Sequence, residues 1–157
     1  MRKVLFLIPL LLCMACSPSV TVPSHNKVSL SLDGLTPDWA ISEGRYIVSG
    51  MGQGNKVSIA FKIYNDSNSP KHISVNAKIP NGLTDGYSVL PLGWVVINDN
   101  VITVPSNSVQ DVLIWVSVPD KIEIKDKLME VWIGFIDVDQ KGTARAEFCS
   151  RILVQMK

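Results

Sequence analysis

Apolar and polar residues alternate over most of this 157-residue chain, and this two-residue period strongly limits how it can fold. The pattern runs through Val28–Leu32, Val57–Ile63 and Ile73–Ile79, and through the longer segments Val109–Val118 and Leu128–Val138. Successive side chains of a strand point to opposite faces, so each run predicts a strand with one buried face. No segment has the pattern of a long amphipathic helix. We therefore expect an all-β fold.

Turn-forming residues separate these strand patterns. They occur at Asp33–Gly34, Gly50–Gly54, Asn65–Pro70, Pro80–Gly82 and Asp139–Gly142. The last of these predicts a tight connection to a final strand, Thr143–Gln155. The short runs Trp94–Ile97 and Val101–Val104 flank three polar residues and predict a β-hairpin. Lys121–Lys127 fits a loop or a short helical turn. Seven to nine strands with regular turns favour a β-sandwich.

The N-terminus has the arrangement of a secretory signal peptide. Two basic residues precede the apolar run Val4–Leu12, and the small residue Ala15 stands directly before Cys16. The apolar run is shorter than the roughly 20 residues that a membrane-spanning helix needs. We therefore predict that residues 1–15 are a signal peptide.

The segment Cys13–Cys16 resembles the lipobox of bacterial lipoproteins. The resemblance implies cleavage before Cys16, lipidation of its thiol and tethering outside the cytoplasm, at the cell membrane or the outer membrane. Several acyl chains hold a protein to a membrane far more firmly than one. The following residues 17–27 are rich in Ser and Pro and predict a flexible tether. Ordinary secretion and an uncleaved N-terminal anchor are the alternatives.

Removal of the signal peptide would leave 142 residues, enough for one domain, which we place at residues 28–157. Loss of its two basic residues leaves 13 basic against 14 acidic side chains. The sequence has no basic stripe of the kind that binds nucleic acid, so we do not expect a nucleic-acid partner.

Two segments resemble prokaryotic extracellular immunoglobulin-like domains. Ile102–Pro119 combines a Pro-containing turn, a long alternating strand and Pro at its end, and Phe61–Val75 resembles two strands joined by an Asn/Ser-rich turn. The resemblance covers about residues 55–155 and implies an antiparallel immunoglobulin-like sandwich. The Cys–Trp–Cys arrangement of antibody domains is absent.

Catalytic and metal-ligating patterns are missing from the sequence. Neither His25 nor His72 has a Cys or His at metal-ligand spacing, and no Gly-x-Ser-x-Gly occurs. Asp137–Gly142 departs from a calcium loop because Lys141 stands at a ligand position. A strand pattern follows Gly50–Gly54, where a phosphate loop needs a helix. We predict no catalysis, metal or cofactor.

Two tryptophans stand on the side of a strand that faces away from the predicted core. Trp132 alternates with a run of core residues, and Trp115 shares its face with Leu113. With Tyr64, these tryptophans are the candidate ligand-binding residues if their faces are exposed. In the alternative interpretation, the apolar segment Leu35–Ile41 covers these faces.

Cys149 has no evident partner once Cys13 leaves with the signal peptide and Cys16 is lipidated. We interpret it as a small buried hydrophobic residue. A disulfide with Cys16 requires that lipidation fail. A reactive thiol needs a basic neighbour, and the sequence around Cys149 supplies no histidine or basic cluster.

These observations leave three classes of function. The first is an interaction module that binds a protein or envelope component through a sheet face, loops or an edge strand. The second is a carbohydrate-binding accessory module that holds cell-wall polysaccharide on exposed aromatic residues. The third, a small hydrolase, lacks any catalytic constellation. An uncovered edge strand would favour the first class, and coplanar exposed aromatic side chains would favour the second.

Overall fold

The computed structural model describes residues 18–21, 37–42, 44–122, 124–141, 145 and 147–157. These residues form eleven β-strands and one 3₁₀ turn, Leu92–Trp94. In this part of the chain, no helix has the length and apolarity needed to cross a membrane. The predicted signal peptide, the lipidation site Cys16 and the strand pattern Val28–Leu32 lie outside the described residues.

The strands form two sheets that pack face to face. They are β1 (Ser19–Thr21), β2 (Trp39–Ile41), β3 (Arg45–Met51), β4 (Lys56–Asn65), β5 (Lys71–Lys78), β6 (Ser88–Val89), β7 (Val95–Ile97), β8 (Val101–Val104), β9 (Ser108–Ser117), β10 (Leu128–Asp137) and β11 (Glu147–Met156). Sheet A has the order β1-β3-β11-β10-β5-β8, with β6 also beside β10, and sheet B has the order β2-β4-β9-β7. All pairs are antiparallel except β3–β11 and β6–β10. The predicted all-β sandwich is confirmed.

The core lies between the sheets and takes one face of each long strand. Phe61 of β4 joins the two layers, with ring centroids 4.6 Å from Tyr46 and 5.3 Å from Phe135, both in sheet A. All three rings are buried. Burying such a side chain stabilises the fold by about 1.5–3 kcal/mol relative to leaving it exposed. The core face predicted for β10 is confirmed, with buried Met129, Val131, Ile133 and Phe135.

The predicted hairpin between Trp94–Ile97 and Val101–Val104 is wrong. Strand β7 pairs with β9 in sheet B, whereas β8 pairs with β5 in sheet A. The segment between them crosses from one sheet to the other, and the Val75 amide holds it by donating to the Asn100 carbonyl at 2.8 Å. Two short apolar runs around a polar turn have the same local pattern whether they pair or separate.

The predicted tether also needs correction, because Ser19–Thr21 forms β1 and pairs with Ile47–Ser49 of β3. A continuous flexible tether over residues 17–27 is therefore wrong for these three residues. The covering role considered for Leu35–Ile41 is not seen in its described part: Trp39 and Ile41 of β2 are buried in the core.

The final two strands are adjacent and antiparallel, as expected. Their connection is longer than the predicted tight turn, because β10 ends at Asp137 and β11 begins at Glu147. Within Lys121–Lys127, the described residues form no helical turn.

Candidate functional site

Strand β9 loses its neighbour halfway along one of its two edges. On one side, β4 pairs with all ten residues of β9. On the other side, β7 pairs only with Ile114–Val116 and ends at Ile97. Within the described chain, no strand pairs with Ser108–Leu113 on that side, and we call this stretch the open edge.

The main-chain groups that face the open edge follow from the register with β4. Lys62 lies opposite Asp111, and its carbonyl accepts from the Ser42 amide at 2.9 Å on the side of β4 away from β9. The main-chain groups of Lys62 thus point away from β9, which makes Lys62 and Asp111 a non-hydrogen-bonded pair of the antiparallel ladder. The main-chain groups of Asp111 therefore point away from β4, and this direction alternates from one residue to the next. Three residues of β9 therefore direct their N–H and C=O groups outward, namely Val109, Asp111 and Leu113.

A groove of about 230 Å³ lies beside the open edge, where β7 ends and the chain crosses to sheet A. Its apolar lining comes from Ile97, Ile102, Val112 and Leu113. Its polar lining comes from Asn98, Asp99, Gln110 and Asp111. The Gln110 side-chain amide donates to the outward Asp111 carbonyl at 3.3 Å, and the outward amides stay uncovered by strands of the described chain. The groove therefore combines free main-chain donors with a mixed apolar and polar surface, as a strand-binding site requires.

The outer face of sheet B next to the open edge presents apolar side chains on both sides of the exposed Lys62–Asp111 pair. Val109 and Leu113 are 51% and 48% exposed, and Val96 lies opposite Trp115 in the ladder. Trp115 shares this outer face with Leu113, as its alternation predicted. The Lys56 ammonium lies 4.4 Å from the centre of the Trp115 ring, a cation–π contact that leaves the indole partly exposed.

The three candidate aromatic residues do not meet. Tyr64 and Trp115 share the outer face of sheet B, but Tyr64 lies opposite Val109 and Trp115 lies opposite Ser58. Six residues of strand separate these two positions, or about 20 Å. Trp132 lies on the outer face of sheet A, on the other side of the sandwich. A single aromatic platform made from all three side chains does not form.

Trp132 belongs to a polar network around a buried carboxylate. Its indole N–H donates to Glu130 at 2.6 Å, and the Arg151 guanidinium lies 5.1 Å from the ring centre. The Thr84 amide donates to the other Glu130 oxygen at 2.7 Å. Burial alone would raise the pKa of Glu130, but the hydrogen bonds from Thr84 and Trp132, with the Arg151 charge, lower it below the usual value of a glutamate.

Cys149 lies on the outer face of sheet A, half-buried opposite Gly134, and is not the core residue that the sequence suggested. The ion pair between Lys78 and Glu147, at 2.7 Å, crosses beside it, in space that a side chain at Gly134 would occupy. Burial, with the nearby Glu147 charge, raises the pKa of the thiol against the smaller effect of Lys78. A raised pKa leaves the thiol unreactive at neutral pH.

His72 is half-exposed, and its Nδ1 is in hydrogen-bond contact with Asp139 at 2.7 Å; this hydrogen bond lowers the pKa of that carboxyl. Asp137, in the segment compared with a calcium loop, accepts from the Asp139 amide and pairs with Lys71 at 3.1 Å. Both carboxylates are therefore engaged by protein groups. The described residues contain no group of three or more His, Cys, Asp or Glu able to hold a metal ion.

No family model matches the chain, and no curated protein sequence matches it. Solved structures do resemble it. A proposed carbohydrate binding protein from Bacteroides ovatus ATCC 8483 gives a TM-score of 0.60 at 11% identity, over 76% of this chain and 37% of that chain. The periplasmic chaperone SfaE gives 0.55 at 13% identity, over 76% and 57%. A PapD-like domain of human CEP192 gives 0.55 at 10% identity, over 85% and 98%.

Identities this low show the fold alone. The chain has the immunoglobulin-like, PapD-like β-sandwich fold, and the predicted fold class is confirmed. It spans 57% of the SfaE chain and 37% of the Bacteroides protein, so it corresponds to only part of each.

Sequence reasoning missed strand β3 and the open edge. The first had a signal, because Tyr46–Val48 is a short run of aromatic and β-branched residues that ends before Gly50. The second had none: alternation continues through all of β9, whether or not β7 lies beside it. A period of two reports which face is buried and carries no information about which edge is paired.

Proposed function

We propose that this protein is an extracytoplasmic interaction module that binds an extended segment of another protein as an added strand beside β9. The observation that carries the proposal is the open edge, where three residues direct their main-chain amides outward beside a groove that is half apolar and half polar. Main-chain hydrogen bonds supply affinity in strand addition, and pockets for alternate side chains supply specificity.

Strand β4 also extends beyond its neighbour β2, which pairs only with Ile63–Asn65. On that edge, however, side chains and loops cover the main chain of β4. There, the Ser42 amide and hydroxyl bond the main chain of Lys62 at 2.9 Å and 3.0 Å. The Tyr46 hydroxyl donates to the Ala60 carbonyl at 2.9 Å. Folded proteins usually shield free strand edges in such ways, because an uncovered edge pairs with other chains. An edge left open beside a groove therefore favours a binding role.

The location that we propose is the outer surface of a membrane, with a lipid on Cys16 as the anchor. The export signal and the fold shared with a periplasmic chaperone support this placement. Strand β1 begins three residues after Cys16, so the anchor would hold the sandwich within about 11 Å. Pro18 lies beside Gly50, at the end of the sandwich that also contains Val118. Asp111 is seven residues along the chain from Val118, so the open edge lies about 23 Å along the strand from that end of the sandwich.

Site-specific photo-crosslinking in the producing cell tests the binding role. A crosslinking amino acid at position 109 is expected to capture a partner protein, whereas the same group at position 58, beside the covered edge of β4, is not. Leu113→Pro removes an outward amide and should abolish capture, while Leu113→Thr keeps the amide and should retain it. Equal capture from positions 109 and 58, or capture by Leu113→Pro, would contradict strand addition at this edge.

Intact mass of the membrane-extracted protein tests the anchor separately. A species that begins at residue 16 and carries a diacylglyceryl group, absent from Cys16→Ser, is the expected result. An unmodified species that begins elsewhere would make the protein a freely secreted module and leave the binding site unaffected.

A carbohydrate-binding module is the second candidate, supported by the fold shared with the Bacteroides protein and by the partly exposed Trp115. Each tryptophan would then act separately, because Trp115 and Trp132 lie on opposite faces. Binding of cell-wall polysaccharide that is lost in Trp115→Ala or Trp132→Ala, but unchanged in Leu113→Pro, would favour this function over strand addition. Catalysis forms no part of either proposal.

A further inference from the structure

The open edge carries an excess of negative charge at its centre. Asp99 and Asp111 both line the groove. Lys62 contacts one Asp111 oxygen at 2.8 Å, in an ion pair whose side chains are 53% and 61% exposed. Asp99 forms no ion pair or side-chain hydrogen bond with the described part of the chain. One carboxylate at the open edge is therefore paired only through an exposed contact, which is weak, and the other has no ion pair with the described residues.

We infer, building on the proposed strand addition, that the bound segment carries a Lys or Arg opposite Asp111, with apolar residues two positions to either side. Residues opposite each other on neighbouring strands have Cβ atoms about 4.5–5.5 Å apart, so their side chains interact directly. The exposed side chains of Val109 and Leu113 flank Asp111 on the same outer face and match the apolar positions.

In the bound segment, the two residues between those three positions would direct their side chains to the opposite face, into the groove. Ile97, Ile102 and Val112 line the groove there, and Val112 is nearly fully buried. Asn98, Asp99 and Gln110 also line the groove, so the apolar preference at the inward positions applies to the side chains that contact Ile97, Ile102 and Val112. The expected pattern is therefore a basic residue at the centre of the outward face, with apolar residues at the two positions on each side of it. An acidic residue at that centre would stand opposite a like charge, which destabilises a strand pair.

The same charge argues against a second copy of this chain as the occupant. Antiparallel pairing of two open edges that uses all three outward residues is centred on Asp111, because that residue is in the middle. A two-fold interface repeats each contact, so the two Asp111 carboxylates would lie opposite each other. Charged residues on an edge are a common protection against self-pairing. Asp111 therefore selects a different chain and discourages dimers.

A pair of peptides tests the charge preference on the full chain. The probes are fluorescently labelled Ser-Thr-Val-Ile-Lys-Ile-Val-Thr-Ser and the same peptide with Glu in place of Lys. The Lys peptide is expected to bind about fivefold more tightly, and Asp111→Lys should reverse the order. Leu113→Pro should abolish both complexes, whereas Leu113→Thr should retain the preference.

The outcomes separate the two proposals. Equal affinities for the two peptides, still lost in Leu113→Pro, would overturn the basic-residue preference and leave strand addition intact. Failure of both peptides to bind, or binding that survives Leu113→Pro, would overturn both proposals.

Sedimentation of the purified protein tests the effect on self-pairing. Asp111→Val should shift the protein toward dimers, and Asp111→Val combined with Leu113→Pro should return it to the monomer. Asp85→Val, an exposed substitution away from β9, is the matched control. A monomeric Asp111→Val variant would overturn the role of Asp111 against self-pairing.

Discussion

Strands β9 and β10 are each ten residues long, and each loses a neighbour halfway along one edge. Strand β5 pairs with β10 only from Trp132 onward, as β7 pairs with β9 only from Ile114 onward. In sheet A the chain then returns, and β6 pairs with Met129 and Glu130. In sheet B it crosses to the other sheet as β8, and no described strand lies beside Ser108–Leu113 on that edge. The path of the next segment, and not the strand itself, decides whether an edge is covered.

The cover on β10 extends beyond β6. The Ser88 hydroxyl donates to the Leu128 carbonyl at 3.1 Å, and the Leu90 amide donates to the Glu130 carbonyl at 2.8 Å. The Thr84 amide adds a bond to the Glu130 carboxylate. Nothing equivalent reaches the outward amides of Val109 or Leu113 from the described residues. We interpret this contrast as the difference between an edge shielded for stability and an edge kept for binding.

The largest expected effect comes from proline on the paired side of β9. Because main-chain direction alternates, the Val112 amide faces β4 and Phe61. Val112→Pro should lower the free energy of unfolding by about 3 kcal/mol, since it leaves a buried carbonyl unpaired and removes core packing. Leu113→Pro, whose amide faces the open edge, should cost about 1 kcal/mol or less. Urea denaturation compares them, and equal losses would contradict the assignment of the open edge.

The second-largest expected effect concerns the connecting segment that shields the edge of β10 and whose Thr84 amide donates to Glu130. The pKa of Glu130 is lower in the folded protein than its usual value, so its contribution to stability is present above about pH 4.3 and is lost as pH falls through the folded pKa. Glu130→Gln should be less stable at pH 7 by about 1–2 kcal/mol. It should also lose less stability than the wild type on acidification below about pH 4.3.

Thermal unfolding from pH 7 to pH 3 measures both effects. Asp85→Asn, in the same connecting segment but exposed, is the matched control and should keep the wild-type acid dependence. An identical pH dependence in wild type and Glu130→Gln would show that the carboxylate does not hold the cover in place.

The smallest expected effect is at the covered half of β4. Tyr46→Phe removes the hydroxyl that donates to the Ala60 carbonyl and should cost about 1 kcal/mol. The more informative measurement is crosslinking from position 58. New captured proteins in Tyr46→Phe would show that this hydroxyl keeps partners off the β4 edge. No change would show that Ser42, which bonds Lys62, is sufficient.

Local patterns predicted the parts of the fold that depend on one strand at a time. The burial of Phe61 and Phe135 and the outward direction of Trp115 and Trp132 follow from alternation, because the two faces of a strand are chemically different. The hairpin error and the missed strand β1 have the opposite origin. Strand pairing joins segments that are far apart in sequence. The residues of Val101–Val104 and Ser19–Thr21 do not indicate which other strand each segment pairs with.

The candidate site shows the same division. The export signal near Cys16 is a local pattern, and the lipid anchor stays a prediction from it. The separation of Tyr64 from Trp115 by about 20 Å is visible only in the ladder between β4 and β9.

The amino-acid sequence by itself determined an all-β chain with alternating buried faces, because side-chain polarity along one strand records which face meets the core. The tertiary structure alone decided which strand edges are paired. Edges are made of main-chain N–H and C=O groups, which are the same in nearly every residue, so the side-chain pattern does not distinguish the open half of β9 from the shielded half of β10.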